Sequence, residues 1–332
     1  MIRDSAQKIW QKIQTAKNIV IIQAENPDID SLGSALALEE LLYQADKKTS
    51  LYCPVNLPKY IRYLDGWDRV SDEFDHQADL AIIVDTASQV LLSKALDKDT
   101  INHWLQNHPS ITIDHHDDTP PSLPFDSLMV IKKAAATAEI IYNLIQELNL
   151  EITPVCATCL MAAISGDTLG MSTPTVTANL FRIMADLTDR GANIAQIEDA
   201  RRELSKKPPE ILDYKADLIK RIEYHDEGRI ATILIPFEDI QEYSDLYNPS
   251  VLVLDEMRSV ENVEVAIAFK TYPDGKVTGK IRTNRPIANL IAGYFGGGGH
   301  AFAAGFRAYD DYDTIFTETI KRTSEVLDDE TL

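Results

Sequence analysis

Short runs of β-branched residues, separated by longer helical patterns, constrain the first half of this chain more than any other feature. Asn18–Gln23 (NIVIIQ), a run beginning at Leu51–Tyr52, Ala78–Val84 (ADLAIIV) and Ser110–Ile113 (SITI) each suit a strand buried on both faces. Residues 3–16 carry Ile9, Trp10 and Ile13 on one stripe. SLGSALALEELLYQA, Ala134–Leu148, Pro154–Ala163 and Thr175–Asp189 likewise repeat apolar residues at helical spacing. Strands alternating with helices predict an α/β domain whose parallel sheet is flanked by helices. Ligands of such sheets sit beyond the carboxyl ends of the strands.

The pattern changes near residue 200. ARRELSKKPPEILDYKADLIKRIEYHDEG is charged, holds Pro208–Pro209 and then reads as a solvent-facing helix, which predicts an interdomain linker. Beyond it Arg229–Ile235, Val251–Leu254, Val263–Thr271 and Lys276–Arg282 alternate like strands, and Pro273-Asp274-Gly275 predicts a hairpin between the last two. A helix over Ile287–Tyr294, the glycine run 296–299 and a C-terminal helix near 310–327 complete the pattern. The expected division is a domain over 1–200, a helical linker over 201–227 and a smaller α/β domain over 228–332.

Charge narrows the partners. The 332 residues hold 52 Asp and Glu against 32 Lys and Arg, a formal net charge of −20, which disfavours a protein that coats long nucleic acid. No apolar run reaches the ~18–20 residues needed to cross a bilayer, and MIRDSAQKIWQK lacks a signal-peptide core, so no membrane association is expected. Three cysteines cannot build a disulfide framework and point to a reducing, cytoplasmic setting.

Polar features fall where the expected strands end: Asp28-Ile29-Asp30, Asp85, Asp114-His115-His116 and Asp167, with Gly296–Gly299 and His300 in the second domain. Taken singly, each has an ordinary explanation as a helix cap, surface turn or flexible loop. Together, four strand ends of one sheet would gather four carboxylates and two histidines, which repel strongly unless cations neutralise them. Mixed carboxylate and imidazole ligation suits Mn2+, Fe2+, Co2+ or Zn2+ better than Ca2+ or Mg2+ alone. Two such ions about 3.5–4 Å apart form a clamp for in-line displacement at phosphorus.

These motifs resemble those of the DHH phosphoesterase superfamily: NPDIDSLGSALAL, VDTAS, the triplet Asp114-His115-His116 and GDTLG, followed by KIRTN and FGGGGHAFAAGF of the DHH-associated domain. The likeness is greatest to its stand-alone branch of nanoRNases and 3′-phosphoadenosine-5′-phosphate (pAp) phosphatases. It implies an active site in the cleft between two domains. Asp28 and Asp85 would hold a first metal, and Asp30, Asp85, His115 and Asp167 a second, with Asp85 bridging. It also implies that His116 faces the scissile phosphate, that Asp114 orients the histidines, and that Arg282 and His300 grip the substrate phosphate. Glycine N–H groups at 297–299 can approach an anion closely. Thr137 matches a family Ser/Thr position, although a plain helix cap explains it equally well.

One departure stands out. The family's first motif usually carries a histidine four residues before the first Asp, and Ala24 occupies that position here. Glu25 is a candidate substitute ligand, against a plain reading as a solvated loop carboxylate. The leading expectation is a hydrolase of short RNA or DNA oligonucleotides or of small nucleotides such as pAp, using two Mn2+ ions, or one, with Mg2+, Co2+, Fe2+ or Zn2+ as alternatives. The rival readings are a non-catalytic nucleotide-binding or regulatory protein with a degenerate first site, and a cyclic or linear dinucleotide phosphodiesterase. Homodimer formation is left open. Cys156 and Cys159 (a lone C-x-x-C), His103 and His108 read as structural, and Arg201, Arg202, Lys206 and Lys207 as a solvated basic cluster.

Overall fold

The computed structural model describes residues 2–117, 120–243 and 247–329. The chain divides into two compact units, Met1–Lys206 and Lys207–Leu332.

Among its described residues the first unit contains six strands: β1 (Asn18–Ile22), β2 (Lys48–Tyr52), β3 (Val70–Ser71), β4 (Leu80–Val84), β5 (Ser110–Asp114) and β6 (Leu128–Ile131). They pair in the order β3-β2-β1-β4-β5-β6, all parallel. Every residue of β4 is buried, and alternate side chains serve two cores. Ile19, Ile21, Leu80, Ile82, Ile111 and Ile113 pack on one face, whereas Val20, Ile22, Ala81 and Ile83 pack on the other. This is why these strands read as unbroken apolar runs.

Two helices of the first core are apolar around most of their circumference, as buried helices are. Ile29–Gln44 starts from its cap Asp28, and Pro154–Asp167 from the cap Thr153 with proline in its first turn. Glycines let them approach closely. A Cβ on Gly33 would lie 2.7 Å from the Cys159 carbonyl oxygen, and one on Gly166 would lie 1.9 Å from Cγ2 of Ile29. The bulky Ile29 between the two aspartates is thus accommodated by the missing side chain of Gly166.

The second unit is built on a mixed sheet of β7 (Glu223–His225), β8 (Ile230–Ile235), β9 (Val265–Thr271), β10 (Lys276–Thr283), β11 (Gly298–His300) and β12 (Ala303–Tyr309), in the order β11-β12-β10-β9-β8-β7. The β9–β10 hairpin turns through Gly275 at φ 75°, as the Pro-Asp-Gly signal predicts. Val265, Ile267, Phe269 and Ile281 on one face pack with Ile291 and Ile315 of the helices Ala288–Tyr294 and Tyr312–Leu327. Ala231, Ile233 and Ala266 on the other face pack with Leu218 and Leu252 of the helices Pro209–Lys220 and Pro249–Arg258.

Three expectations change. Val251–Leu254 is helical rather than extended, because Asn248 caps and Pro249 opens a helix that buries Leu252, Val253, Leu254 and Met257. Asp167 does not follow a strand: the helix predicted to end at Ala163 continues to Asp167, so helical carbonyls lead directly into the site. The stretch read as a linker is shared between the units. Arg201 and Arg202 end the helix Ile194–Leu204, whereas Ile211, Tyr214 and Leu218 form a buried stripe in the second unit.

Candidate metal centre and phosphate-binding residues

The carboxyl edge of the first sheet supplies most of the site. Asp85 follows β4 with its N–H donated to the Ile113 carbonyl (2.9 Å), and its backbone is left-handed at φ 62°. Such a conformation in a residue other than glycine costs of order 1–3 kcal/mol and clusters at functional positions. Asp114 closes β5, and His115 and His116 follow it. Asp30 enters from the first turn of the helix Ile29–Gln44, and Asp167 from the last residue of Pro154–Asp167.

His115 is the hub. Its Nε2 lies 3.5 Å from Asp167 Oδ2, 3.6 Å from Asp85 Oδ1 and 3.9 Å from Asp30 Oδ2. Its Nδ1 lies 3.3 Å from the Ala134 carbonyl oxygen, which sets the tautomer that leaves a lone pair on Nε2 for a cation. Two groups of potential ligands share this ring: Asp30, His115 and Asp167, and Asp85, His115 and His116. Within each group the ligand atoms all lie within 4.8 Å of one another.

Burial raises the Asp30 carboxyl above the usual range and Asp28 adds to it, while His115 and the amides of Thr137 and Ala138 oppose the shift. Asp85 is pushed well above its ordinary value by burial and then by Asp30, Asp28, Asp167 and Asp114. Burial and Asp30 bring Asp167 up to about 7. A cluster that resists ionisation this strongly is one a divalent cation would stabilise. The donor set of carboxylate oxygens around an imidazole fits such an ion.

His116, whose ring centroid lies 4.2 Å from that of His115, is oriented by Asp114. Asp114 Oδ1 accepts the His116 backbone N–H at 3.1 Å and sits 2.7 Å from His116 Nδ1. That hydrogen bond is the largest influence raising the His116 pKa. Thr137 is the first residue of the helix Thr137–Glu147, whose cap position is Ala136. Its hydroxyl donates to Asp85 Oδ1 (3.1 Å) and its N–H to Asp30 Oδ2 (2.6 Å).

The first-motif residues are placed differently. Asp28 Oδ1 accepts the Ser31 N–H at 3.0 Å as a helix cap, and Asp28 belongs to neither ligand group, although its charge is felt by Asp30, Asp85 and Asp167. Ala24 is buried. Glu25 points its Oε2 to the Ser93 hydroxyl (2.8 Å) and the Lys94 N–H (2.9 Å), and it too is outside both groups.

In the second unit, register brings residues 282 and 300 into one row: Arg282 pairs with Ala303, and Ala303 with position 300. The side chain of His300 lies outside the described residues. The Arg282 guanidinium donates to the Ile281 carbonyl at 3.0 Å, and burial lowers its pKa. Gly297 and Gly299 are demanded by β12, since a Cβ would lie 2.3 Å from the Gly305 carbonyl oxygen and 2.5 Å from that of Ala303. A Cβ on Gly298 would meet nothing within 4 Å. The expected close approach of an anion therefore rests on Gly298, while its two neighbours are explained by packing.

Residues read as structural sit in ordinary surroundings. Cys156 and Cys159 are buried in a helix with their thiols pushed up to about 12, and His108 stacks on Trp104 at 4.1 Å. Sequence reasoning missed Gly33 and Gly166, which bring Asp30 and Asp167 together. It also missed Ala134, whose carbonyl orients His115. The small residues in SLGSALAL and LMAAISG were the available signal for close helix packing.

A parallel sheet carrying clustered carboxylates and an imidazole at its carboxyl edge, joined to a mixed-sheet unit with a glycine run, describes a two-domain α/β protein with a candidate metal site. The chain belongs to the DHH family: residues 18–164 match the DHH family N-terminal domain and residues 250–329 the DHHA1 domain. It is 26% identical over 302 residues to the probable bifunctional oligoribonuclease and PAP phosphatase NrnA of Streptococcus mutans, covering 91% of this chain and 93% of the relative. It is 27% identical over 333 residues to the bifunctional oligoribonuclease and PAP phosphatase NrnA of Thermus thermophilus, covering 96% of each. The fold matches that of an exopolyphosphatase-related protein from Bacteroides fragilis with a TM-score of 0.85 at 19% identity, over 98% of this chain and 97% of that one.

Proposed function

We propose that this protein is a divalent-metal phosphoesterase that hydrolyses short oligonucleotides and nucleotide phosphomonoesters such as pAp. The observation that carries the reading is His115 Nε2 facing the carboxylates of Asp30, Asp85 and Asp167 within 4 Å. Both curated relatives named above support the substrate class through their names. The donor set mixes imidazole nitrogen with carboxylate oxygen, which suits Mn2+, Fe2+, Co2+ or Zn2+, and manganese is the ion proposed.

Asp30, Asp85, His115 and Asp167 would hold the metal, with Asp28 adding negative charge beside them. When bound, the cation supplies an activated water and neutralises charge on the phosphoryl oxygens. Asp114 keeps His116 oriented and favours its protonated form, which would offer a cationic N–H to the phosphoryl group as negative charge develops there. Thr137 fixes the rotamer of Asp85 through its hydroxyl. Arg282 and the Gly298 amide bind phosphate in the second unit. The test is release of mononucleotide from two- to five-mers, and of phosphate from pAp, with Mn2+ and with EDTA. Absence of turnover on these and on cyclic dinucleotides would reject the reading.

A second reading has its own observation. Ala24 offers no donor and the Glu25 carboxylate is engaged by Ser93 and Lys94, which favours one strong metal site over two. Metal content per chain after dialysis, measured by mass spectrometry, separates one bound ion from two.

A further inference from the structure

One sheet face of the second unit carries a set of cations whose charge no ion pair among the described residues neutralises. Lys280 follows the strand two residues before Arg282, on the same face of β10. Beyond it Thr278 pairs with Lys270 of β9 on one side and Arg307 of β12 on the other. Three successive rows of one sheet face therefore read Arg282, then Lys280, then Lys270 with Arg307. Rows two residues apart are spaced by about 7 Å along a strand.

The floor between them is made of small residues. Lys280 pairs with Ala268 and Gly305, and Gly305 pairs with Gly298. A pocket of about 490 Å³ opens over this floor, lined by Lys270, Lys280, Arg307, Ser250, Gly297 and Gly305. Lys270 donates to Asn248 Oδ1 at 2.9 Å, the cap of the helix Pro249–Arg258, whose N-terminus thus also faces the pocket. No ion pair among the described residues neutralises Lys270, Lys280 or Arg307. Burial and Lys280 bring the Lys270 ammonium down to about 8, and burial with Arg282 lowers Lys280. Uncompensated cations that depress one another, in a chain of formal net charge −20, mark a place that an anion would relieve.

We infer that Arg282, Lys280 and the Lys270–Arg307 pair form a stepped track for successive phosphates of a short oligonucleotide, one phosphate to a row. The small floor lets the backbone lie close to the sheet. The next cation on this face, Lys276, is engaged by Asp274 (3.8 Å) and by the Tyr272 ring (3.9 Å), so the track ends after the third row and gains in affinity stop there. This rests on the proposed hydrolysis of short oligonucleotides, but it can be read by binding alone.

The test uses the full chain in EDTA and fluorescently labelled oligonucleotides carrying one to five phosphates, followed by anisotropy against salt. For the wild type, affinity should rise with each phosphate up to three and then level. The three-phosphate salt slope should fall by about 0.7 for each cation removed in K280Q and in K270Q or R307Q. Each substitution should weaken three-phosphate binding several-fold, least for one phosphate, and K280R should restore it. Wild-type affinity and slope in K280Q and K270Q would overturn the track, even if hydrolysis of short oligonucleotides is confirmed. Length-dependent binding without hydrolysis would uphold the track and reject the enzymatic reading. Tripolyphosphate that binds but fails to compete with the trinucleotide would also overturn it, by showing a separate anion site.

Discussion

Asp30 caps a helix to which it does not belong: its Oδ2 accepts the Thr137 N–H at 2.6 Å and its Oδ1 the Ala138 N–H at 3.1 Å. The Oδ2 that receives Thr137 also faces His115, so a candidate ligand is fixed by the end of a neighbouring helix. Asparagine at this position keeps one acceptor for the cap, sets an NH2 donor against the other cap N–H, and removes one of the clustered charges. Metal-free D30N is therefore expected to melt close to wild type, the lost cap bond offsetting the relieved repulsion, while losing the stabilisation that Mn2+ confers. D30A also loses the cap, at about 1 kcal/mol. Calorimetry with and without Mn2+ decides this, and a full Mn2+ effect in D30N would remove Asp30 from the ligands.

The raised carboxyls of Asp30, Asp85 and Asp167 set a pH dependence for the metal-free protein. Above the ordinary aspartate value the folded chain retains protons that the unfolded chain has lost. Their contribution to stability is present at low pH and disappears as pH rises through the folded values, about 7 for Asp167. Each retained proton gives a slope of about 1.4 kcal/mol per pH unit. Melting in EDTA should fall from pH 5 to 8 relative to melting in Mn2+, where the carboxylates stay ionised. Parallel curves would contradict the assignment.

Asp114 raises the His116 pKa through the 2.7 Å contact, so the imidazolium persists to higher pH and is lost above its folded value. D114N is expected to move the basic limb of the kcat profile to lower pH and to cut kcat at neutral pH by about 10- to 100-fold. KM should change less. An unmoved limb would assign Asp114 a purely structural role.

Gly166 and Ile29 form a matched pair, with no room for a Cβ at residue 166. G166A should cost about 1–3 kcal/mol and weaken metal binding, by displacing Ile29 and with it Asp30. Trimming the partner, as I29A/G166A, should recover much of both losses. A double-mutant cycle with no coupling would show that the two helices adjust elsewhere.

Most of the first sheet was readable because strands buried on both faces leave unbroken apolar runs such as NIVII and LAIIV. The strands β3 and β6 were not, since two to four residues carry too little pattern. Val251–Leu254 misled because four apolar residues in a row suit a strand or a buried helix turn, and only the preceding Asn-Pro distinguishes them. In the site, the aspartates and histidines stood out by type and spacing. The hydrogen bond from Thr137 to Asp85 and the successive rows of Lys280 and of Lys270 with Arg307 depend on long-range pairing and register, which no local pattern encodes.

The left-handed backbone of Asp85 bears on how this position can vary. Most side chains would add torsional cost there, so an alanine replacement loses a candidate ligand and leaves the main chain no better off. Glycine relaxes the chain but abandons the oxygen, whereas asparagine tolerates the torsion and retains a polar oxygen in the same place. Drift at residue 85 thus passes two independent filters, conformation and coordination. An inactive but fully folded descendant of this chain would be expected to carry asparagine there before anything else.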